Sequence, residues 1–283
     1  MNLHLLYQPP ADALHGRVIA ITGAGDGIGR ALALAAAEHG AEVVLIGRTV
    51  SKLDAVHGRI AALGKREASI APLDLERAVA RDYDALADAI QSRYGRLDGL
   101  VHNAAILGAL TPIEQYDVPT WCRVLHVNLT AAFALTQVLL PSLRAAPDAS
   151  IIFTSSGVGR RARAFWGAYA VSKYGIGALC AILADELGGT SQVRVNAVNP
   201  GPVRTERWSG LVTAMARDMN LSYEDADKLA PAAIPLGRIA EVEEVANLVV
   251  MLASPLMHMV NGTQIEIDGG QEKSLMDRLR DRR

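Results

Sequence analysis

Short runs of β-branched and aliphatic residues alternate with longer stretches of helical period along most of the chain. RVIAIT (17–22), EVVLIG (42–47), EASIAPL (67–73), LDGLVHN (97–103), SIIFTS (150–155), VRVNAV (193–198) and QIEID (264–268) read as strands. Between them, 28–39, 51–64, 76–94, 120–145, 167–188 and 241–253 space their apolar positions as helices do. Gly40 closes the first helix, and Pro141 predicts a break in the fourth. Several strands are continuously apolar, the pattern of parallel strands buried on both faces. The alternation predicts an α/β fold: right-handed βαβ units forming a Rossmann-type, doubly wound parallel sheet with helices on both faces.

At 283 residues, length alone suggests about two domains. No Pro/Ser/Gly-rich linker and no internal repeat divides the chain, so one domain over 16–270 is expected. Residues 1–15 read as an N-terminal extension, and 271–283 (QEKSLMDRLRDRR) as a solvated polar tail. Residues 203–235 interrupt the alternation and read as a substrate lid. Half the residues are hydrophobic and the net charge is −2, which gives no electrostatic case for nucleic acid. The start lacks the basic and apolar regions of a signal peptide. No run of about 18 uninterrupted apolar residues predicts a membrane span, and 129–143 reads as a buried helix. Cys122 and Cys180 sit in apolar helical contexts and read as buried free thiols. A soluble, cytoplasmic protein is expected. The seven histidines lack ligand spacing, so no metal is expected, and no G-x-S-x-G elbow is present.

The chemistry begins at TGAGDGIG (22–29), directly after the first strand. Glycines at 23, 27 and 29, between a strand and a helix, suit either an ordinary turn or a phosphate lying against backbone at a helix N-terminus. In an open α/β sheet, ligands bind beyond the carboxyl ends of the strands, where this turn falls. Tyr169 and Lys173 are four apart on one predicted helix and share a face. A free phenol holds its proton too tightly near neutral pH, and a neighbouring ammonium favours the phenolate. The pair suits proton transfer to or from a substrate oxygen.

The spacing T-G-x3-G-x-G resembles that of the short-chain dehydrogenase/reductase family. HNAA (102–105) stands where that family has N-N-A-G, departing from it at His102 and Ala105. Asn128 in HVNLT, Ser156 thirteen residues before Tyr169, YAVSK (169–173), NPGPVRT (199–205) and IEIDGG (265–270) follow in family order. The resemblance covers about 16–270, and the front half resembles bacterial oxoacyl-carrier-protein reductase-like oxidoreductases. It implies a catalytic set of Asn128, Ser156, Tyr169 and Lys173. Ser156 would bond the substrate oxygen, and Asn128 would hold a water linking Lys173 to solvent. It implies a cofactor seat of Gly23, Gly25, Asp26, Gly27, Ile28, Gly29, Asp74, Leu75, Asn103, Ala104, Tyr169, Lys173, Pro200, Gly201, Val203 and Thr205. Asp74 also fits a helix N-cap.

After the second strand stands Arg48, with no carboxylate to accept from a ribose 2′-hydroxyl. A guanidinium there suits a 2′-phosphate, which favours NADP over NAD, although Asp26 in the glycine turn counts against it. The implied activity is hydride transfer between NADP and a ketone or secondary alcohol, with a 3-oxoacyl thioester as a candidate substrate. An NAD-linked alcohol dehydrogenase and a non-catalytic nucleotide-binding regulator are the alternatives. Arg160, Arg161 and Arg163 sit between Ser156 and Tyr169, either attracting an anion or forming a solvated basic loop. Phe165 and Trp166 would line the pocket or an interface, and Trp208, Met215 and Met219 belong to the lid. The family implies a homodimer or homotetramer built through the apolar faces of 120–140 and 170–187.

Overall fold

The computed structural model describes residues 8–64, 67–229 and 231–271. Its strands are β1 (Val18–Thr22), β2 (Glu42–Gly47), β3 (Ala68–Pro72), β4 (Gly99–His102), β5 (Ala149–Thr154), β6 (Val193–Pro200) and β7 (Gln264–Ile267). They form one parallel sheet in the order β3-β2-β1-β4-β5-β6-β7. The order reverses between β1 and β4, and the reversal opens a crevice at the carboxyl ends of those strands.

The apolar strands have two destinations. Val18 and Ala20 of β1, with Val44 and Ile46 of β2, point to the side covered by α3 (Ala80–Tyr94), α5 (Ala131–Arg144) and α6 (Gly167–Gly188). Ile19, Ile21, Val43 and Leu45 point to the side covered by α1 (Gly27–Glu38), α2 (Val50–Ala62) and α9 (Val242–Ala253). Successive side chains on a strand face opposite ways, so a strand buried on both faces must be apolar throughout.

Helices and strands follow the sequence pattern closely, with three departures. The predicted helix 120–145 is not broken at Pro141, which sits inside α5. Instead α4 (Val118–Leu125) widens into a π turn over His126–Thr130 before α5 begins. The third helix starts at Ala80, because 75–77 form a turn held by Asp74 Oδ1, which accepts from Glu76 N at 3.1 Å. The extension is not loose where it is described. Leu14 is buried in the core, and His39 Nδ1 bonds Pro10 O at 2.7 Å.

By length and composition, the helical stretch 118–144 and α6 could cross a membrane. Both lie against the sheet, with Leu135, Leu139, Ile176 and Leu183 in its core. Cys180 is buried there too, its thiol pushed up to about 11 by burial. Cys122 is exposed, contrary to its expected burial. At the opposite end from the crevice, Asp148 sits between two arginines, 3.1 Å from Arg17 Nη1 and 3.3 Å from Arg194 Nε. The two guanidiniums also donate to Asp148 O, Leu252 O, Ser254 O and Met257 O. This clasp ties the starts of β1, β5 and β6 to the chain after α9.

Residues 203–235 form a small unit of their own, α7 (Glu206–Met219) and α8 (Tyr223–Leu229). Its root is pinned by a bridge between Val203 and Ala240. Trp208, Val212, Ala216, Ala226, Ile234 and Ile239 make its core. Trp208 therefore holds the lid together, donating from Nε1 to Asp227 Oδ1 at 2.8 Å. Thr205 caps α7 by accepting from Trp208 N at 3.3 Å.

Candidate active site

A cleft of about 1030 Å³ opens at the sheet reversal, between the glycine turn and the lid. The turn is built by close backbone approach. Gly23 has φ +66°, and a Cβ there would meet Ala104 Cα at 3.0 Å. At Gly29, the last glycine of the turn, a Cβ would lie 2.0 Å from Gly23 O. Gly27 also has φ +49°. Asp26 is the N-cap of α1, accepting from Gly27 N at 2.7 Å. Thr22 holds the facing turn: its Oγ1 accepts from Asn103 N at 3.0 Å and Ala104 N at 3.1 Å. This packing leaves the first amides of α1 lining the cleft, with the positive end of the helix dipole behind them.

The cleft takes in all but one of the residues expected to hold the cofactor. Gly23, Gly25, Asp26, Gly27 and Ile28 line it, as do Arg48, Asp74, Leu75, Asn103, Ala104, Tyr169, Lys173, Pro200, Gly201, Val203 and Thr205. Gly29 is the exception, because it packs behind the turn rather than lining the space. Lys52, which the motif reading did not single out, lies beside Arg48 and pairs with Asp26. Asp26 lies below the usual carboxylate range chiefly because of its bond to Lys52. The acidic side chain that counted against a 2′-phosphate is thus neutralised from α2. A cationic residue four positions after Arg48, on the first turn of the next helix, was the available signal.

At the other end of the cleft, Tyr169 and Lys173 sit one turn apart on α6, both buried. Lys173 Nζ lies 5.6 Å from the Tyr169 ring centroid and donates to Thr154 O at 2.7 Å. Burial, reinforced by the charge of Arg207, pushes the Lys173 amine down to about 7. Burial likewise holds Tyr169 above the ordinary phenol value. Arg207 by charge and hydrogen bonding, and Ser156 by hydrogen bonding, work the other way. Arg207, on the first turn of α7, is thus a second cation acting on the phenol beside Lys173. Its guanidinium donates from Nη2 to Ala105 O at 2.8 Å.

Asn128 sits in the π turn, and its side chain makes three hydrogen bonds. Oδ1 accepts from Ile106 N at 2.8 Å, while Nδ2 donates to Ile106 O at 2.9 Å and Ser172 Oγ at 3.0 Å. The carboxamide thus ties the chain after β4 to α6, and Oδ1 keeps a second lone pair. Behind Lys173 lies a cavity of about 10 Å³ lined by Thr154, Asn128, Thr22 and His102, about the room one water needs. His102, where the family motif has Asn, stacks on Phe153 with centroids 4.8 Å apart. Thr136 Oγ1 donates to Ala132 O, so it accepts from His102 Nε2, 2.8 Å away. Burial, with the nearby Lys173, pushes this imidazole down to about 3, and it stays neutral.

The basic loop after Ser156 is mostly spent on structure. Arg160 pairs with Glu266 at 3.7 Å, and Arg161 reaches Asp268 at 3.5 Å and the carbonyl of Gln271. Gln271 is buried, so the polar tail cannot begin there; 272–283 lie outside the described residues. Arg163, Phe165, Trp166 and Met215 line the cleft. Phe165 takes φ +72°, a left-handed conformation unusual for an aromatic residue and of the kind that clusters at functional sites.

A seven-stranded sheet with this reversal, a glycine turn at its mouth and a buried Tyr–Lys pair across the cleft define a nicotinamide-dependent oxidoreductase. Comparison with known proteins agrees. A family model described as enoyl-(acyl carrier protein) reductase matches residues 23–272. The oxidoreductase YciK of Escherichia coli K12 is 44% identical over 199 residues, covering 70% of this chain and 78% of that protein. The 3-oxoacyl-[acyl-carrier-protein] reductase FabG of Thermotoga maritima is 34% identical, covering 91% and 98%. A short-chain dehydrogenase from E. coli CFT073, solved with NADPH, is 35% identical with a TM-score of 0.79, covering 91% and 99%. The chain belongs to the short-chain dehydrogenase/reductase family and is an NAD(P)-dependent oxidoreductase acting on CH–OH groups.

Proposed function

We propose that this protein uses NADP and interconverts a ketone and a secondary alcohol, with Tyr169 as the proton donor and acceptor. The observation that carries the reading is the pairing of two ends in one cleft. Arg48 and Lys52 stand beside the glycine turn, and the Tyr169 hydroxyl lies near Ser156 at the far end. The fit of the cofactor rests on the glycine turn, whose close packing against Asn103, Ala104 and Gly23 O leaves the first amides of α1 lining the cleft for its pyrophosphate. Arg48 and Lys52 would hold the 2′-phosphate, Asn103 the ribose region, and Val203 and Thr205 the carboxamide. Bound there, the nicotinamide supplies or accepts hydride.

The protein's own work is proton transfer. Ser156 orients the substrate oxygen, and Tyr169 gives it a proton in reduction or removes one in oxidation. Lys173, poised near neutrality, returns a proton to Tyr169 from the small cavity behind it. The substrate extends under the lid, and a 3-oxoacyl thioester, the substrate class named for the T. maritima relative, is a candidate. Exposed Phe133, Val171 and Ile182 on α5 and α6 support a homodimer or homotetramer. Two unpaired cysteines suit a reducing cytoplasm.

The test compares apparent affinities for NADPH and NADH, with turnover on a panel of carbonyl compounds. Arg48→Asp is expected to weaken NADPH about tenfold or more and spare NADH. Tyr169→Phe is expected to bind NADPH and lose turnover by about a hundredfold or more. Unchanged cofactor preference in the first variant removes the 2′-phosphate assignment. Unchanged turnover in the second removes the proton-transfer assignment.

A further inference from the structure

We propose that Arg207 is the substrate-anchoring cation of the lid, selecting carbonyl compounds with a carboxylate or phosphate a few bonds from the reacting carbon. The inference rests on the carbonyl-reductase reading and names its substrate class.

Three observations carry it. Arg207 occupies the first turn of α7, two residues past the cap Thr205, and lines the catalytic end of the cleft. Its guanidinium is held across the mouth by Ala105 O at 2.8 Å, so the lid delivers it to a fixed place. Tyr169 lines the same cleft, and the Arg207 charge acts on its phenol. Among the described residues no carboxylate forms an ion pair with it, whereas Arg160, Arg161, Arg204 and Arg238 all have acidic partners. The bond to Ala105 O uses one N–H of a five-donor planar fork in a residue that lines the cleft, and such a fork matches carboxylate and phosphate oxygens.

The position also sets a distance. A substrate carbonyl must place its oxygen at Tyr169, and Arg207, held at Ala105 O, lines the same cleft. An anionic group it binds therefore lies close to the carbonyl, as in a 2- or 3-oxo acid or a ketone phosphate. A thioester whose charge sits far along a carrier arm does not meet this requirement.

The experiment uses matched substrates with NADPH: 3-oxobutanoate against its methyl ester, and dihydroxyacetone phosphate against dihydroxyacetone. The wild type is expected to prefer the anionic member of at least one pair, and the pair that responds tells carboxylate from phosphate. In Arg207→Gln that preference falls at least about tenfold, mainly through KM, while Arg207→Lys keeps part of it. Arg160→Gln, whose parent guanidinium serves Glu266, keeps it all. An equal loss on charged and neutral members assigns Arg207 to the developing alkoxide and overturns anion anchoring, as does an unchanged preference. If the wild type reduces none of these compounds, the carbonyl-reductase reading fails for them, and a binding measurement still decides the anchoring. Malonate is titrated into the NADP⁺-loaded protein and followed by Trp166 and Trp208 fluorescence. Binding that Arg207→Gln loses supports the assignment, and equal or absent binding in both proteins overturns it.

Discussion

Gly29→Ala tests whether the glycine turn is as tightly built as its geometry implies. The added methyl would stand 2.0 Å from Gly23 O, 2.6 Å from Asn103 Nδ2 and 2.7 Å from Gly23 C. Two of these are backbone atoms, so no rotamer change relieves the contact: the turn must open or α1 must slide. Alanine is about 1 kcal/mol better than glycine inside a helix, and overpacking costs about 1–3 kcal/mol. With contacts this short the cost falls at the upper end, leaving a net loss of about 1–2 kcal/mol. For a chain of this size each kcal/mol moves Tm by about 2–4 °C, so a fall of roughly 2–8 °C is expected. The functional effect is larger, because the displaced amides are those that would face the pyrophosphate. Gly58→Ala is the control: it lies within α2, and a Cβ there meets nothing within 4 Å. The same exchange is expected to raise Tm by about 2–4 °C. Thermal melts with and without NADPH read both effects. If Gly29→Ala melts like Gly58→Ala and keeps full NADPH protection, the close approach of α1 to the turn is not what seats the cofactor.

Two further outcomes follow from buried charge. Asp148→Ala strips the counter-ion from Arg17 and Arg194, both buried. A loss of about 3–5 kcal/mol in denaturant unfolding is expected, and a loss under 1 kcal/mol would show that the backbone carbonyls alone satisfy both guanidiniums. Lys173, held near 7 when folded, regains an ordinary value of about 10.4 on unfolding. Between these values the unfolded chain binds more protons, so this group makes stability rise with pH. Cys180, pushed up to about 11 from 9.0, acts oppositely above pH 9, which leaves pH 7–9 as the clean window. Over that window Lys173→Met is expected to lose a stability slope of up to about 1 kcal/mol per pH unit. Identical slopes in the two proteins would mean that Lys173 stays charged in the fold.

The fold was legible because burial on both faces leaves a simple trace. A parallel strand with Val18 and Ala20 on one side and Ile19 and Ile21 on the other has to be apolar throughout. The helices betray themselves by the opposite habit of burying one stripe. The interruptions were less visible. A proline usually signals a break, yet Pro141 lies in α5 without ending it. The irregularity falls instead at His126–Thr130, a stretch with neither proline nor glycine. The π turn places Asn128 so that its carboxamide meets the backbone of Ile106, a contact made by a segment distant in sequence.

The same distinction divides the site. Tyr169 and Lys173 could be paired from sequence because four residues on a helix make one turn, and the glycines because turn and helix are contiguous. Arg207 could not: it lies 38 positions beyond Tyr169 and reaches the phenol only because α7 folds back over the cleft. It adds to a local inference. Proximity along α6 pairs Lys173 with the phenol, while burial and the charge of Arg207 push the Lys173 amine down to about 7. A lysine near neutrality is well suited to passing protons, and the guanidinium supplies a second charge acting on Tyr169. An anion paired with Arg207 offsets part of that charge, so substrate binding at the guanidinium and the acidity of Tyr169 are coupled.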